Sequence, residues 1–282
     1  MKKIVIGYIF NENNLTKDER LFLETAEKEN IELVLFNTAK DIDEEDIKKK
    51  AKNCRIFYNN SAEEFSLEIV KTLETLGKKV VDSSRKNYYD EDKWMFFLKC
   101  ERHKIPTLRT ILLSETIPTA KKELEKFNSW PVVLKRVIGT MGQYVDKAEN
   151  IKQAEKIIRK FWKKGSERLP IIAQEFVKSP SYRVTIIDGK IVQTAIKKSK
   201  GWKATGVYAK HFKKFKVDTE LKKITKKITK TFNIKVCGID LLKKKGKWLV
   251  LEINSTPAFD FFVQERKKLI KKVLDFLKRR IK

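Results

Sequence analysis

The 282-residue chain is poor in cysteine, histidine, glycine and proline, with 3, 2, 10 and 6 residues respectively. Each scarcity excludes something. Cys54, Cys100 and Cys237 are odd in number, far apart and in no metal-ligand spacing, so they read as buried thiols in a reducing compartment rather than as a disulfide framework or a zinc site. So few glycines and prolines rule out a low-complexity or collagen-like chain. No apolar run approaches the ~18–20 residues of a membrane span. The opening MKKIVIGYIFNEN has too short an apolar core for a signal peptide. The expectation is a cytoplasmic protein without a membrane partner.

Positive charge is abundant. Lys and Arg number 64 against 37 Asp and Glu, a formal net charge of +27. Such a charge attracts nucleic acid, nucleotides, acidic proteins or anionic membranes. Its distribution is less selective: KKELEKF, KKITKKITK and RKKLIKKVLDFLKRR set basic residues between regularly spaced Ile, Leu, Val and Phe, the pattern of helices with wetted basic faces. With no basic run interleaved with aromatics, no nucleic-acid module is recognisable and nucleic acid is disfavoured as a partner. A hydrophobic fraction of 41%, with 17 Phe, 7 Tyr and 5 Trp, is enough to fill a sizeable core. At ~100–200 residues per domain the length suits about two packing units.

The first 85 residues alternate strand and helix. Strands are expected over Lys3 to Phe10, Ile31 to Phe36, Arg55 to Tyr58 and Lys79 to Asp82. Helices fall between them, the first opened by a Thr16–Glu19 capping box and the third closed by Gly77. This is a parallel α/β unit. The polar stretch SSRKNYYDED then reads as a boundary. Beyond it, helices near 92–103, 119–127, 151–163, 219–232 and 264–282 are mixed with strands near 108–113, 132–137, 171–177, 183–187, 191–196, 236–242 and 248–253. The mixture, with hairpins, indicates α+β.

Two strands carry the most informative chemistry, Cys237-Gly238-Ile239-Asp240 and Trp248-Leu249-Val250-Leu251-Glu252-Ile253-Asn254. A three-residue loop Lys244-Lys245-Gly246 would pair residue 240 with 250, and strand alternation would leave Leu249, Leu251 and Ile253 on one face. Asp240, Glu252 and Asn254 then converge on the other. Hard oxygen ligands without His or Cys suit Mg²⁺, completed by substrate phosphates. A surface hairpin with a wet acidic face has the same spacing. Lys135 ends an apolar strand just before Gly139-Thr140-Met141-Gly142, a loop through which backbone N–H groups could approach phosphates. Neither GxxxxGK[ST] nor GxGxxG is present, so the P-loop and Rossmann readings lack support. Gln174-Glu175-Phe176-Val177 ends another strand and could read an adenine or be an ordinary strand end.

The order of these pieces resembles the ATP-grasp superfamily, and within it the RimK-like amino-acid ligases. The match runs through Lys93, Ile105-Pro106-Thr107, Lys135 with its glycine loop, Gln174-Glu175-Phe176-Val177, Arg183, Gly238-x-Asp240 and Glu252-x-Asn254-x-x-Pro257. The resemblance covers about residues 87–260. It implies an ATP-grasp domain over 87–282, divided into a lid subdomain near 106–176 and a metal-binding subdomain near 177–282, after a pre-ATP-grasp domain over 1–86. It also implies an ADP-forming ligase that joins a carboxylate to an amine through an acyl-phosphate. By position, Lys93, Lys135, Gly139, Thr140 and Gly142 would hold ATP phosphates, and Gln174, Glu175, Phe176 and Val177 the adenine side of ATP. Asp240, Glu252 and Asn254 would hold Mg²⁺ or Mn²⁺. Arg183 would act on the phosphoryl oxygens, with Lys197, Lys198 and Thr205 toward the acceptor or phosphate. The substrates implied are an amino acid such as glutamate and an acidic acceptor, small molecule or protein tail; homo-oligomerisation is left open.

The chain departs from the family pattern in places. Ser181 stands where an Asp is expected two residues before the arginine, and Tyr144 replaces the third glycine of the lid. The segment 197–205 has lysines for arginines and Thr205 for an asparagine, and a double glycine is replaced by Gly206-Val207-Tyr208-Ala209. Lysine loses bidentate phosphate contact. Two alternatives therefore stand beside the ligase: a catalytically divergent Mg-ATP-binding protein and a basic nucleic-acid-binding protein.

Overall fold

Strand-and-helix alternation in the first 85 residues builds a parallel four-stranded sheet. The computed structural model describes residues 3–40, 42–139, 142–163, 169–199, 201–203 and 209–281. Strands β1 (Ile4–Phe10), β2 (Ile31–Asn37), β3 (Ile56–Asn59) and β4 (Val80–Val81) lie in the order β2-β1-β3-β4, every pair parallel. Helices α1 (Lys17–Lys28), α2 (Glu44–Ala51) and α3 (Glu64–Thr75) make the crossovers that parallel pairing requires. Thr16 and Glu19 form the expected capping box at the start of α1.

The polar stretch expected as a boundary forms helix α4 (Ser84–Glu91), separated by Asp92 alone from α5 (Lys93–Arg102). Its stabilising contacts are tertiary. Tyr89 packs edge-on against Phe232 with ring centroids 5.4 Å apart, and the Lys99 ammonium sits 3.7 Å from the Tyr89 ring centroid. No apolar period was needed to form it. Asp92 caps α5, its Oδ1 accepting from the N–H groups of Trp94 and Met95 at 2.9 and 2.8 Å.

Two antiparallel sheets follow. The first has the order β5-β8-β6-β7, from β5 (Thr110–Leu112), β6 (Val132–Arg136), β7 (Val145–Ala148) and β8 (Ile171–Glu175). Helices α6 (Ile117–Phe127) and α7 (Ile151–Lys163) share its core through Leu124, Phe127, Ile158 and Phe161. The second has the order β11-β10-β9-β12-β13, from β9 (Ser181–Ile187), β10 (Lys190–Ser199), β11 (Ala209–Lys213), β12 (Val236–Lys244) and β13 (Lys247–Asn254). Helix α8 (Thr219–Phe232) supplies Leu221, Ile224 and Ile228 to that sheet's core. The last helix, α9 (Val263–Ile281), returns to the N-terminal unit: Leu269, Ile270 and Val273 share one core with Ile6, Phe22 and Tyr58 and with Ile187 and Val236 of the second sheet. Strands β7 and β11 were not expected. Both are short edge strands, VDKA and AKHFK, whose ladder bonds to an inner strand supply what their sequence does not.

The β12–β13 hairpin corrects the expected register. Its loop has two residues, Lys245 and Gly246, both at positive φ, and pairs Lys244 with Lys247. A bulge between Asp240 and Leu241 then pairs Asp240 with Glu252 and Leu241 with Val250. Trp248, Val250 and Ile253 are the buried residues of the core face, not Leu249, Leu251 and Ile253. The three polar groups still share a face, because the extra residue turns Glu252 and Asn254 back toward Asp240.

Candidate active site

A cavity of about 310 Å³ draws its lining from both antiparallel sheets and from the N-terminal end of α5. From the first sheet come Lys135, Gln174 and Glu175, followed by Phe176 and Val177. From the second come Arg183, Lys197, Asp240, Glu252 and Asn254. Lys93, at the first position of α5, and Gly139 and Gly142 complete the set. Residues separated by more than 150 positions thus meet at one place of a size suited to a small ligand.

Lys135 is buried in the sheet that places it, its ammonium donating to Gln174 Oε1 at 2.9 Å. Gln174 in turn donates to Thr110 Oγ1 at 3.0 Å. Burial pulls the Lys135 pKa down to about 8; the neighbouring charges of Glu252 and Asp240 oppose that change and Lys93 adds to it. Lys93 donates to the carbonyl of Gly139 at 2.5 Å, tying α5 to the glycine loop.

The densest charge lies across β9, β10 and β12. Arg183 holds Asp240 with two bonds, Nε to Oδ1 at 2.7 Å and Nη2 to Oδ2 at 3.0 Å, and Lys197 Nζ reaches Oδ1 at 2.8 Å. Register explains the geometry, since Arg183 lies directly opposite Asp240 and Lys197 opposite Ser181. Burial alone would raise the Asp240 pKa; the two cations outweigh it and hold the carboxyl below its ordinary value.

The donor set fits a hard cation. A carboxylate offers about four lone-pair positions. Three at Asp240 are used, leaving room on Oδ2. Glu252 pairs with Asp240 across the ladder. The Asn254 amide nitrogen is buried and has no hydrogen-bond partner among the described residues, so the amide can turn its oxygen to a cation. Among the described residues no cluster of three or more His, Cys, Asp or Glu could hold a metal unaided.

Not every expected residue joins the site. Lys198 is exposed, on the opposite face of β10 from buried Lys197, because successive strand residues alternate. Glu175 lines the cavity, but its carboxylate accepts from the Arg109 N–H at 3.1 Å and pairs with Lys244, so its oxygens are already engaged. Thr140 and Thr205 lie outside the described residues. Lys203, in the basic segment 197–205 that the sequence singled out, also lines the cavity. Other lining residues had no sequence signal of their own: Leu251 faces the cavity only through the bulge, and Ser179 follows from chain path. Tyr144 keeps the left-handed backbone expected of the glycine it replaces, with φ 50°, and the Arg136 guanidinium lies 4.0 Å from its ring centroid.

Residues 90–277 match the family model of the RimK-like ATP-grasp domain. The chain belongs to this family. Its fold is that of the ATP-grasp ligases, which join carboxylates to amines. The crystal structure of a RimK domain ATP-grasp protein from Sphaerobacter thermophilus matches with a TM-score of 0.75 at 15% identity, covering 97% of this chain and 99% of that one. The D-alanine–D-alanine ligase of Bacillus anthracis complexed with ATP matches at 0.74 and 17%, covering 99% and 97%. In sequence, the chain is 24% identical over 201 residues to the coenzyme gamma-F420-2:alpha-L-glutamate ligase of Methanocaldococcus jannaschii, 69% of this chain and 68% of that protein. No described helix of this RimK-like protein is long and apolar enough to cross a membrane.

Proposed function

We propose that this RimK-like protein adds an amino acid such as glutamate to an acidic acceptor, a small molecule or an acidic protein tail, in the cytoplasm. The observation that carries the reading is the convergence of Lys93, Lys135, Arg183 and Lys197 with Asp240, Glu252 and Asn254 on one cavity. Residues 1–86 serve as the pre-ATP-grasp domain, 106–176 as the lid and 177–282 as the metal-binding part. An acceptor carboxylate oxygen attacks the γ-phosphorus of ATP and ADP leaves; the amine of the amino acid then attacks the acyl-phosphate carbon, loses a proton, and releases phosphate.

Each residue's part follows from its position. Lys135, fixed by Gln174, and Lys93 hold the phosphate chain as point charges. The backbone at 175–177 meets the adenine, since the Glu175 carboxylate is committed to Arg109 and Lys244. Arg183, aligned by Asp240, neutralises the transferring phosphoryl group. Asp240, Glu252 and Asn254 would hold Mg²⁺ or Mn²⁺, which supplies charge neutralisation at the phosphoryl oxygens. No enzyme nucleophile is required. The net charge of +27 favours an anionic acceptor and draws it from a distance.

The test is ADP release across a panel of amino acids and acidic acceptors. Release should require Mg²⁺, an amino acid and an acceptor together, with a matching mass gain on the acceptor, and should vanish in Glu252→Ala. Equal release from wild type and Glu252→Ala across the panel would refute the assignment.

A further inference from the structure

Gly238 sits inside a central strand, paired on one side with Thr185 of β9 and on the other with Asn254 of β13. Glycine weakens a strand interior, and its presence there marks a close approach by another group. The group is Arg183. A Cβ built at Gly238 would lie 1.8 Å from Arg183 Nη1, 2.8 Å from Cζ and 3.0 Å from Cδ. The Nη1 end of the guanidinium therefore rests in the space that any side chain at 238 would fill.

We infer that Gly238 is a positioning residue: its missing side chain is the seat that lets Arg183 lie flat across β12, doubly bonded to Asp240, with Nη1 kept for an anionic oxygen of the phosphoryl or acyl-phosphate group. Three observations converge. Arg183 is buried and its Nε and Nη2 are both spent on Asp240. Its Nη1 is buried with no hydrogen-bond partner among the described residues, a state that costs stability unless an acceptor arrives. Asn254, the cross-strand neighbour of Gly238, also has a buried amide nitrogen without a partner among the described residues, so the polar groups beside the same bare stretch of backbone stay unsatisfied until a ligand arrives. Asp240 holds the guanidinium in plane and Gly238 sets its height above the strand. The inference rests on the ligase reading for the identity of the anion; the seat itself is a property of the packing.

The colliding atoms belong to the far end of a flexible side chain, so Gly238→Ala is expected to fold with Arg183 lifted off Asp240. Its kcat should fall about 100-fold, the loss typical of removing one charge-stabilising donor. Binding of a non-hydrolysable ATP analogue with Mg²⁺ should stay within about twofold of wild type, because the seat acts on the transferred group and not on the nucleotide. Arg183→Lys should cost a similar factor, and adding Gly238→Ala to it should cost little more, since the head that collides is gone. That double variant also regains melting temperature if the single Gly238→Ala is unstable. Full activity in Gly238→Ala, or losses that multiply in the double variant, would overturn the inference. A second readout needs no turnover: the Arg183 Nε–H signal in ¹⁵N NMR, protected by its bond to Asp240, should disappear in Gly238→Ala while other arginine signals persist. If wild type itself shows no ligation, the ligase reading fails, and this signal still decides the seat: its loss supports the seat and its retention overturns it.

Discussion

Lys135 offers a quantitative test of how burial sets the charge in the proposed nucleotide site. Burial holds its pKa at about 8, against 10.5 for an ordinary lysine. That difference amounts to about 3 kcal/mol between the charged and neutral forms. In the free protein the ammonium is then about nine-tenths protonated at pH 7 and about one-quarter protonated at pH 8.5. On the proposed reading, phosphate oxygens would lie beside it and restore the ordinary value or exceed it. Binding of Mg-ATP should then take up about 0.1 proton at pH 7 and about 0.7 proton at pH 8.5. Calorimetry in two buffers of different ionisation enthalpy reads this directly, and Lys135→Met should abolish the uptake while weakening binding. Stability changes in the matching direction. Between pH 8 and 10.5 the unfolded lysine binds more protons than the folded one, so stability of the free protein should rise with pH across that window by up to about 3 kcal/mol relative to Lys135→Met. Equal proton uptake at pH 7 and 8.5, or a wild-type minus Lys135→Met stability difference independent of pH, would refute the account of Lys135 as a desolvated cation.

Asp240→Asn leaves Arg183 and Lys197 facing each other without their common anion, and should lower stability by about 3–5 kcal/mol in chemical denaturation. Glu252→Gln, by contrast, should leave the denaturation midpoint nearly unchanged while abolishing ADP release. Tyr144→Gly should be more stable than Tyr144→Ala by about 0.5–1 kcal/mol, because both lose the Arg136 stack and only glycine escapes the left-handed backbone cost; equal melting temperatures would contradict this. Burial pushes the Cys54 and Cys100 thiols up to about 11 and 12, so at pH 8 these two should resist a thiol reagent until the protein is unfolded, as followed by mass spectrometry.

Much of the secondary structure was legible because burial is one-sided along each element. Helices α7 and α8 run over Ile151–Lys163 and Thr219–Phe232, the spans their apolar periodicity marks. Where tertiary contacts supply the stabilisation, the sequence was silent: α4 forms through Tyr89, Phe232 and Lys99, and β7 and β11 through ladder bonds at sheet edges. The candidate site shows the same division. Its residue types could be read in order along the chain, yet Lys198 fell out by strand alternation and the Glu175 carboxylate proved to be engaged by Lys244.

Sequence alone determined which chemistry is available: two lysines, an arginine, two carboxylates and an asparagine, in an order that resembles one family of ligases. These are properties of side chains and spacing, which composition and local periodicity record. Tertiary structure alone decided how they act together. The bulge opposite Asp240 returns Glu252 and Asn254 to its face. Sheet register sets Arg183 opposite Asp240, and the bare backbone of Gly238 gives the guanidinium its seat. Burial turns Lys135 from a surface charge into a group that titrates at about 8. Each of these depends on which strands become neighbours and on how much water is excluded between them, and neither quantity is written in any local stretch of the chain.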